Sequence, residues 1–219
     1  MSRALLFRGR IAGWGTTSGT RVVVGRWDVS PFGAFADVMV ERPDGERVLL
    51  APTAEVAALV ASTYTFDRVE VVPVSVTDGA GNDAPPSGEG RPGAVPPPWI
   101  VVAGPLEARL VVGQRTGLGR ALRAVPDRLA ASRRFTAVTD PAARALLHGV
   151  RTRGSAGAGR VEHYGATDVH GIVDAGTTWE GAPLGGLAPV DPPVRFGFGS
   201  TPRRPAVTDV VTTIVLPRD

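Results

Sequence analysis

Short apolar runs, cut by Gly, Pro and Asp, mark most of this chain as extended segments joined by tight turns. Arg3 to Ile11 reads as one strand, Thr20 to Trp27 as a second centred on Val22-Val23-Val24, and Phe35 to Glu41 as a third. Thr17-Ser18-Gly19 and Ser30 to Gly33 separate them, and Pro43-Asp44-Gly45 turns the chain back into Arg47 to Ala51. These four strands form a β-meander. Thr53 then caps a helix running to about Tyr64, with Val56, Leu59, Val60 and Thr63 on one face.

The second half alternates less cleanly. Phe66 to Val76 reads as one strand, and Trp99 to Val112 as β structure broken at Gly104-Pro105. Residues 77–98 between them are rich in Gly and Pro and poor in bulky apolar side chains, which predicts a long loop. Helices are predicted at Gly117 to Ala124, Pro126 to Arg134 and Asp140 to Gly149, the last started by Asp140-Pro141 with Leu146 and Leu147 inward. Arg151 to Gly159 reads as a Gly/Ser loop. A long strand at Arg160 to Val173 leads through an Asp174-Ala175-Gly176 turn to Thr177 to Glu180, and Val194 to Phe198 and Val207 to Leu216 are the last strands.

Tight turns between strands and helices grouped in two places argue for an α+β fold, not alternating βαβ units. So many strands expose too much edge in a flat sheet, so a largely antiparallel curled sheet or β-barrel with a few packed helices is expected, closing around a hollow. The 219 residues suit a single domain spanning 1–219.

Composition removes several chemistries. Cysteine is absent, excluding thiol nucleophiles, disulfides and cysteine metal sites. Lysine is absent too, so all 24 basic residues are Arg and no Schiff base or P-loop lysine can form. The Arg residues are scattered or paired, with few aromatics among them, against a nucleic-acid partner. The start of the chain has no apolar core of a secretory signal, and no run reaches membrane-span length, so a cytoplasmic protein with no membrane partner is expected.

Candidate chemistry concentrates in Glu162-His163-Tyr164-Gly165-Ala166-Thr167-Asp168-Val169-His170. Regular strand alternation puts Glu162, Tyr164, Asp168 and His170 on one face and His163 on the other. Asp168 and His170, two residues apart, are spaced to share a proton, or to bind a metal with a third ligand such as His148. Because His163 points away, no metal site is expected. A polar strand surface facing solvent explains the same residues without chemistry. Arg115 sits where a strand opens a helix at Gly113-Gln114-Arg115-Thr116-Gly117-Leu118-Gly119-Arg120, a context that suits an anion, although Leu122 replaces the third glycine of the dinucleotide pattern. Arg195, on a predicted strand, and Arg203, beside Arg204, are further candidate anion anchors. Ser155 and Ser200 complete no nucleophile elbow. No cofactor is expected.

Arg26-Trp27-Asp28-Val29-Ser30-Pro31-Phe32-Gly33-Ala34-Phe35-Ala36-Asp37 resembles a segment of the acetoacetate decarboxylase-like family, in which a strand leads into a Ser-Pro-x-Gly-Pro-Tyr-x-Glu pattern. The resemblance covers a small part of the chain. It implies a curled β-barrel with an internal pocket, with the family's active-site Glu falling on Asp37 and its Pro and Tyr on Ala34 and Phe35. The family's imine chemistry needs a lysine that this chain lacks. Read from the strand alone, Asp37 shares a face with Phe35 and Met39, which makes it a carboxylate among apolar side chains.

These observations predict a pocket for a small organic acid or apolar ligand between the Trp27–Glu41 region and the Arg160–Val173 strand. Asp37, Glu162, Asp168 and His170 are its candidate acids and bases. The alternative is a non-catalytic interaction or scaffold protein.

Overall fold

The computed structural model describes residues 4–78, 97–123, 153–155, 161–197 and 201–215. The helices expected at Pro126 to Arg134 and Asp140 to Gly149, His148, Ser200, and most of the 77–98 loop lie outside these residues. Of Glu162, His163 and Tyr164 only the backbone is described.

Thirteen strands among the described residues form one curled, mostly antiparallel sheet with the shape of a half-barrel. The meander is β1 (Ala4–Thr16), β2 (Arg21–Val29), β3 (Phe35–Glu41) and β4 (Arg47–Ala51). Helix α1 (Ala54–Ala61) follows, with the Thr53 hydroxyl accepting the Val56 amide at 3.2 Å as its cap. It carries the chain to β5 (Arg68–Val71), which pairs with β4 in parallel. A parallel neighbour needs such a crossover, whereas the antiparallel strands need only turns. The strand expected from Phe66 to Val76 is two strands. Pro73, which has no amide hydrogen, separates β5 from β6 (Val74–Asp78).

Beyond it come β7 (Trp99–Ala103), β8 (Leu106–Arg115), α2 (Gly117–Arg123) and β9 (Arg153–Ser155). The chain then continues through β10 (Val161–Trp179), β11 (Ala182–Pro183), β12 (Leu187–Ala188) and β13 (Ala206–Val215). The main path runs β5-β4-β3-β2-β1-β13-β10-β8-β7-β6. No helix among the described residues is long and apolar enough to cross a membrane.

Three expectations in the second half need correction. Asp174-Ala175-Gly176 is not a turn. β10 runs straight through it, pairing first with β13 and then with β8, and the chain reverses only at Glu180-Gly181. Within the Gly/Ser loop, Arg153–Ser155 pairs with β10. Of the strand expected at Val194 to Phe198, the described residues 194–197 are not a strand, because the Arg195 amide donates to the buried Glu41 carboxylate at 2.7 Å instead of to a neighbouring strand.

The uninterrupted apolar runs of β2, β3 and β4 follow from burial on both faces. Even-numbered Val22, Val24, Val38, Val40, Val48 and Leu50 face the inside of the curl. There they meet Val76, Val101 and Ala103 from the opposite arm, with Trp14 and Leu110 between. The Trp14 indole donates to the Thr177 hydroxyl at 3.0 Å inside this core. Odd-numbered Ile11, Val23, Met39 and Leu49 face outward, under Val56 and Val60 of α1 and under Val194 and Phe196 of the 189–197 loop. Among the described residues the concave side, where a hollow was expected, is packed with Val, Leu and Trp.

Candidate functional site

The cavity lies on the convex side, between the sheet and α1. Phe7 and Ile11 of β1, Val23, Gly25 and Trp27 of β2, and Phe35, Asp37 and Met39 of β3 form its floor. Thr212 and Ile214 of β13 extend it, and Leu59, Val60, Thr63 and Tyr64 roof it. Its cavity volume is about 40 Å³, and the whole groove, counting its mouth, spans about 520 Å³. β13 lies between β10 and β1, and among the described residues the expected wall from Arg160 to Val173 contributes nothing to the lining.

Asp37 sits in this apolar lining at 3% exposure, on the strand face it shares with Phe35 and Met39. The Trp27 indole Nε1 donates to its Oδ1 at 3.1 Å. Burial pushes the carboxyl up to about 7, and the indole hydrogen bond offsets only part of that rise. Gly25, paired directly opposite Asp37, makes the contact possible. A Cβ there would stand 2.6 Å from Asp37 Oδ1 and 2.8 Å from Trp27 Nε1. Phe7 meets the Trp27 ring edge-on, with centroids 5.6 Å apart. At the roof, Gly197 leaves room for the Tyr64 ring, which a Cβ would approach at 2.7 Å.

Among the described residues the lining contains one acid, Asp37, and no Arg or His. It also contains Thr212, whose buried hydroxyl has no hydrogen-bond partner. Sequence reasoning placed Trp27 in the expected Trp27–Glu41 wall without giving it a role, and it missed Thr212 and Tyr64. A Thr inside a Val/Ile-rich strand carries no separate signal, and the roof residues meet the sheet only in three dimensions.

The other predicted residues lie elsewhere. A bulge at Thr167 shifts the β10–β13 register between Ala166, opposite Val210, and Asp168, opposite Asp209. The backbone alternation expected from Glu162 to His170 is interrupted there, and the side chains of Glu162 and Tyr164 lie outside the described residues. Glu162 is paired with Ile214. Asp168 and His170 do come together, Oδ2 to Nε2 at 3.6 Å, and Arg115 joins them, its Nε donating to both Asp168 oxygens at 2.9 Å. The Val169 amide also donates to Asp168, at 2.8 Å. The Asp168 carboxylate thus accepts from both the Arg115 guanidinium and the Val169 amide. His170 Nδ1 donates to the Gly113 carbonyl at 3.2 Å, since a carbonyl can only accept. Among the described residues, no group of His, Asp and Glu is arranged to hold a metal.

The three predicted anion anchors are each held by an acid. Arg115 holds Asp168. Arg195 Nε donates to Glu41 at 2.7 Å, and Arg21 pairs with the same carboxylate at 3.1 Å, which fastens the 189–197 loop to β2 and β3. Arg203 pairs with Asp191 at 2.6 Å on the surface. None of them lines the cavity. No known protein family matches the chain, and no curated protein or solved structure matches it either.

Proposed function

We propose that the groove under α1 binds a small, largely apolar ligand whose polar end meets Asp37. The carrying observation is a buried carboxyl without a cation, set in a half-open apolar cavity. Ligand pockets combine an apolar lining with few placed polar groups, and buried titrating groups concentrate in them. The lining supports the apolar ligand class. A small organic acid finds no cation in it to meet. The segment that resembles the acetoacetate decarboxylase-like family, Arg26 to Asp37, contributes Trp27, Phe35 and Asp37 to the floor of this groove, and the resemblance puts the family's acidic position on Asp37. Without lysine the proposal extends to binding and not to that family's reaction.

Thermal-shift and calorimetric titration with short aliphatic alcohols, amines, keto acids and fatty acids tests the proposal, because a ligand of the folded state stabilises it by mass action. The expected result is a concentration-dependent rise in Tm for at least one class, lost in Val60→Trp, which fills the groove. A flat response to all classes, or a shift that survives Val60→Trp, overturns it.

A further inference from the structure

The charge pattern of the whole molecule narrows the ligand. Three acids are buried among the described residues: Asp37, Glu41 and Asp168. This chain supplies an Arg to two of them, Arg21 and Arg195 to Glu41 and Arg115 to Asp168. Asp37 alone among the three has no cation. Its one described side-chain hydrogen bond comes from a neutral indole. A buried carboxylate is costly unless a positive charge or several donors face it, so this site is one cation short.

The surrounding side chains suit one kind of cation. Phe7, Trp27, Phe35 and Tyr64 put four aromatic rings into the lining, and ring faces attract cations, organic ammonium groups above all. The unpartnered Thr212 hydroxyl supplies a further acceptor. A hydrated metal ion would need several oxygen ligands, and the lining offers one carboxylate and scattered hydroxyls.

Resting on the binding reading above, we infer that the ligand's polar end is an organic ammonium group, paired with Asp37 and enclosed by the aromatic side chains, with its alkyl part directed along the apolar groove. The ammonium replaces the Arg that Glu41 and Asp168 have and Asp37 lacks.

The test compares three probes of one chain length by calorimetry near pH 8: n-butylammonium, n-butanol and n-butanoate. Butylammonium is expected to bind at least about tenfold more tightly than either of the others, a ratio worth roughly 1.4 kcal/mol. Asp37→Asn is expected to weaken butylammonium by at least about tenfold and so to remove that preference. Phe7→Leu is expected to weaken butylammonium more than butanol. If Asp37→Asn does not fold, the wild-type order of the three probes and the Phe7→Leu comparison decide. Equal or tighter binding of butanol or butanoate overturns the ammonium assignment and leaves the pocket standing. Binding of none of the three, with no shift from any other class, overturns the pocket itself and this inference with it.

Discussion

The Trp27 indole reaches diagonally across the β2–β3 ladder to donate to Asp37, 3.1 Å away, over the bare backbone of Gly25. It gives a buried carboxyl one donor and no charge, which leaves the acid between its two protonation states near neutrality.

This geometry sets a pH dependence. Asp37 rises from 3.8 to about 7 in the fold, so the folded state binds a proton that the unfolded chain has released. Its stabilising effect is complete below about pH 4, is lost as pH climbs through 7, and is flat above that. The loss is on the order of 4 kcal/mol. Asp37→Asn keeps an oxygen for Trp27 and cannot ionise. Urea denaturation of both proteins across this window should show wild type losing stability against the variant as pH rises. Parallel curves would mean that Asp37 is not buried as an uncompensated acid.

Gly25→Ala should lower stability by about 1–3 kcal/mol, because the new methyl enters the Trp27–Asp37 contact and a packed sheet yields little. Tryptophan fluorescence should shift along with the loss of Tm. Gly176→Ala, on β10 with open space beside it, serves as the control and should stay within about 0.5 kcal/mol. Equal behaviour of the two variants would show that the indole–carboxyl contact does not need the bare backbone.

Glu41→Ala should be among the most damaging single changes. It strands the buried Arg21 guanidinium and frees Arg195, and breaking a buried ion pair costs about 3–5 kcal/mol. Asp191→Ala removes an exposed partner of Arg203 and should cost less than about 1 kcal/mol. The same denaturation series measures both, and a small effect of Glu41→Ala would show that the loop is fastened by its apolar contacts instead.

Leu110→Ala, inside the curl, should cost about 2–5 kcal/mol by opening a cavity. It should leave ligand titrations unchanged, since binding belongs to the convex side. Val60→Trp should abolish binding, at a stability cost of about 1–3 kcal/mol for the added bulk at a buried position. A ligand response that follows Leu110 would place binding on the concave side.

Much of the fold was readable from residues close together in sequence. The β1–β4 meander, the Thr53 cap and the Pro43-Asp44-Gly45 reversal depend on alternation, a hydroxyl before a helix, and a glycine at φ +92°. Asp37 was legible as an acid beside Phe35 and Met39 on one strand face. The β10 face was not, because one extra residue at Thr167 interrupts the alternation, and no local pattern marks that insertion.

The sequence by itself determined the β1–β4 meander with its turns, the exclusion of thiol and amine chemistry, and the apolar strand that carries Asp37. Tertiary structure decided which side of the sheet holds the cavity, because strands buried on both faces carry the same apolar pattern whether they face a packed interior or a helix. It also decided which acids receive an Arg. Pairings such as Glu41 with Arg195 and Asp168 with Arg115 join residues far apart in the chain, and only the curl of the sheet brings them within reach of one another while leaving Asp37 without a cation.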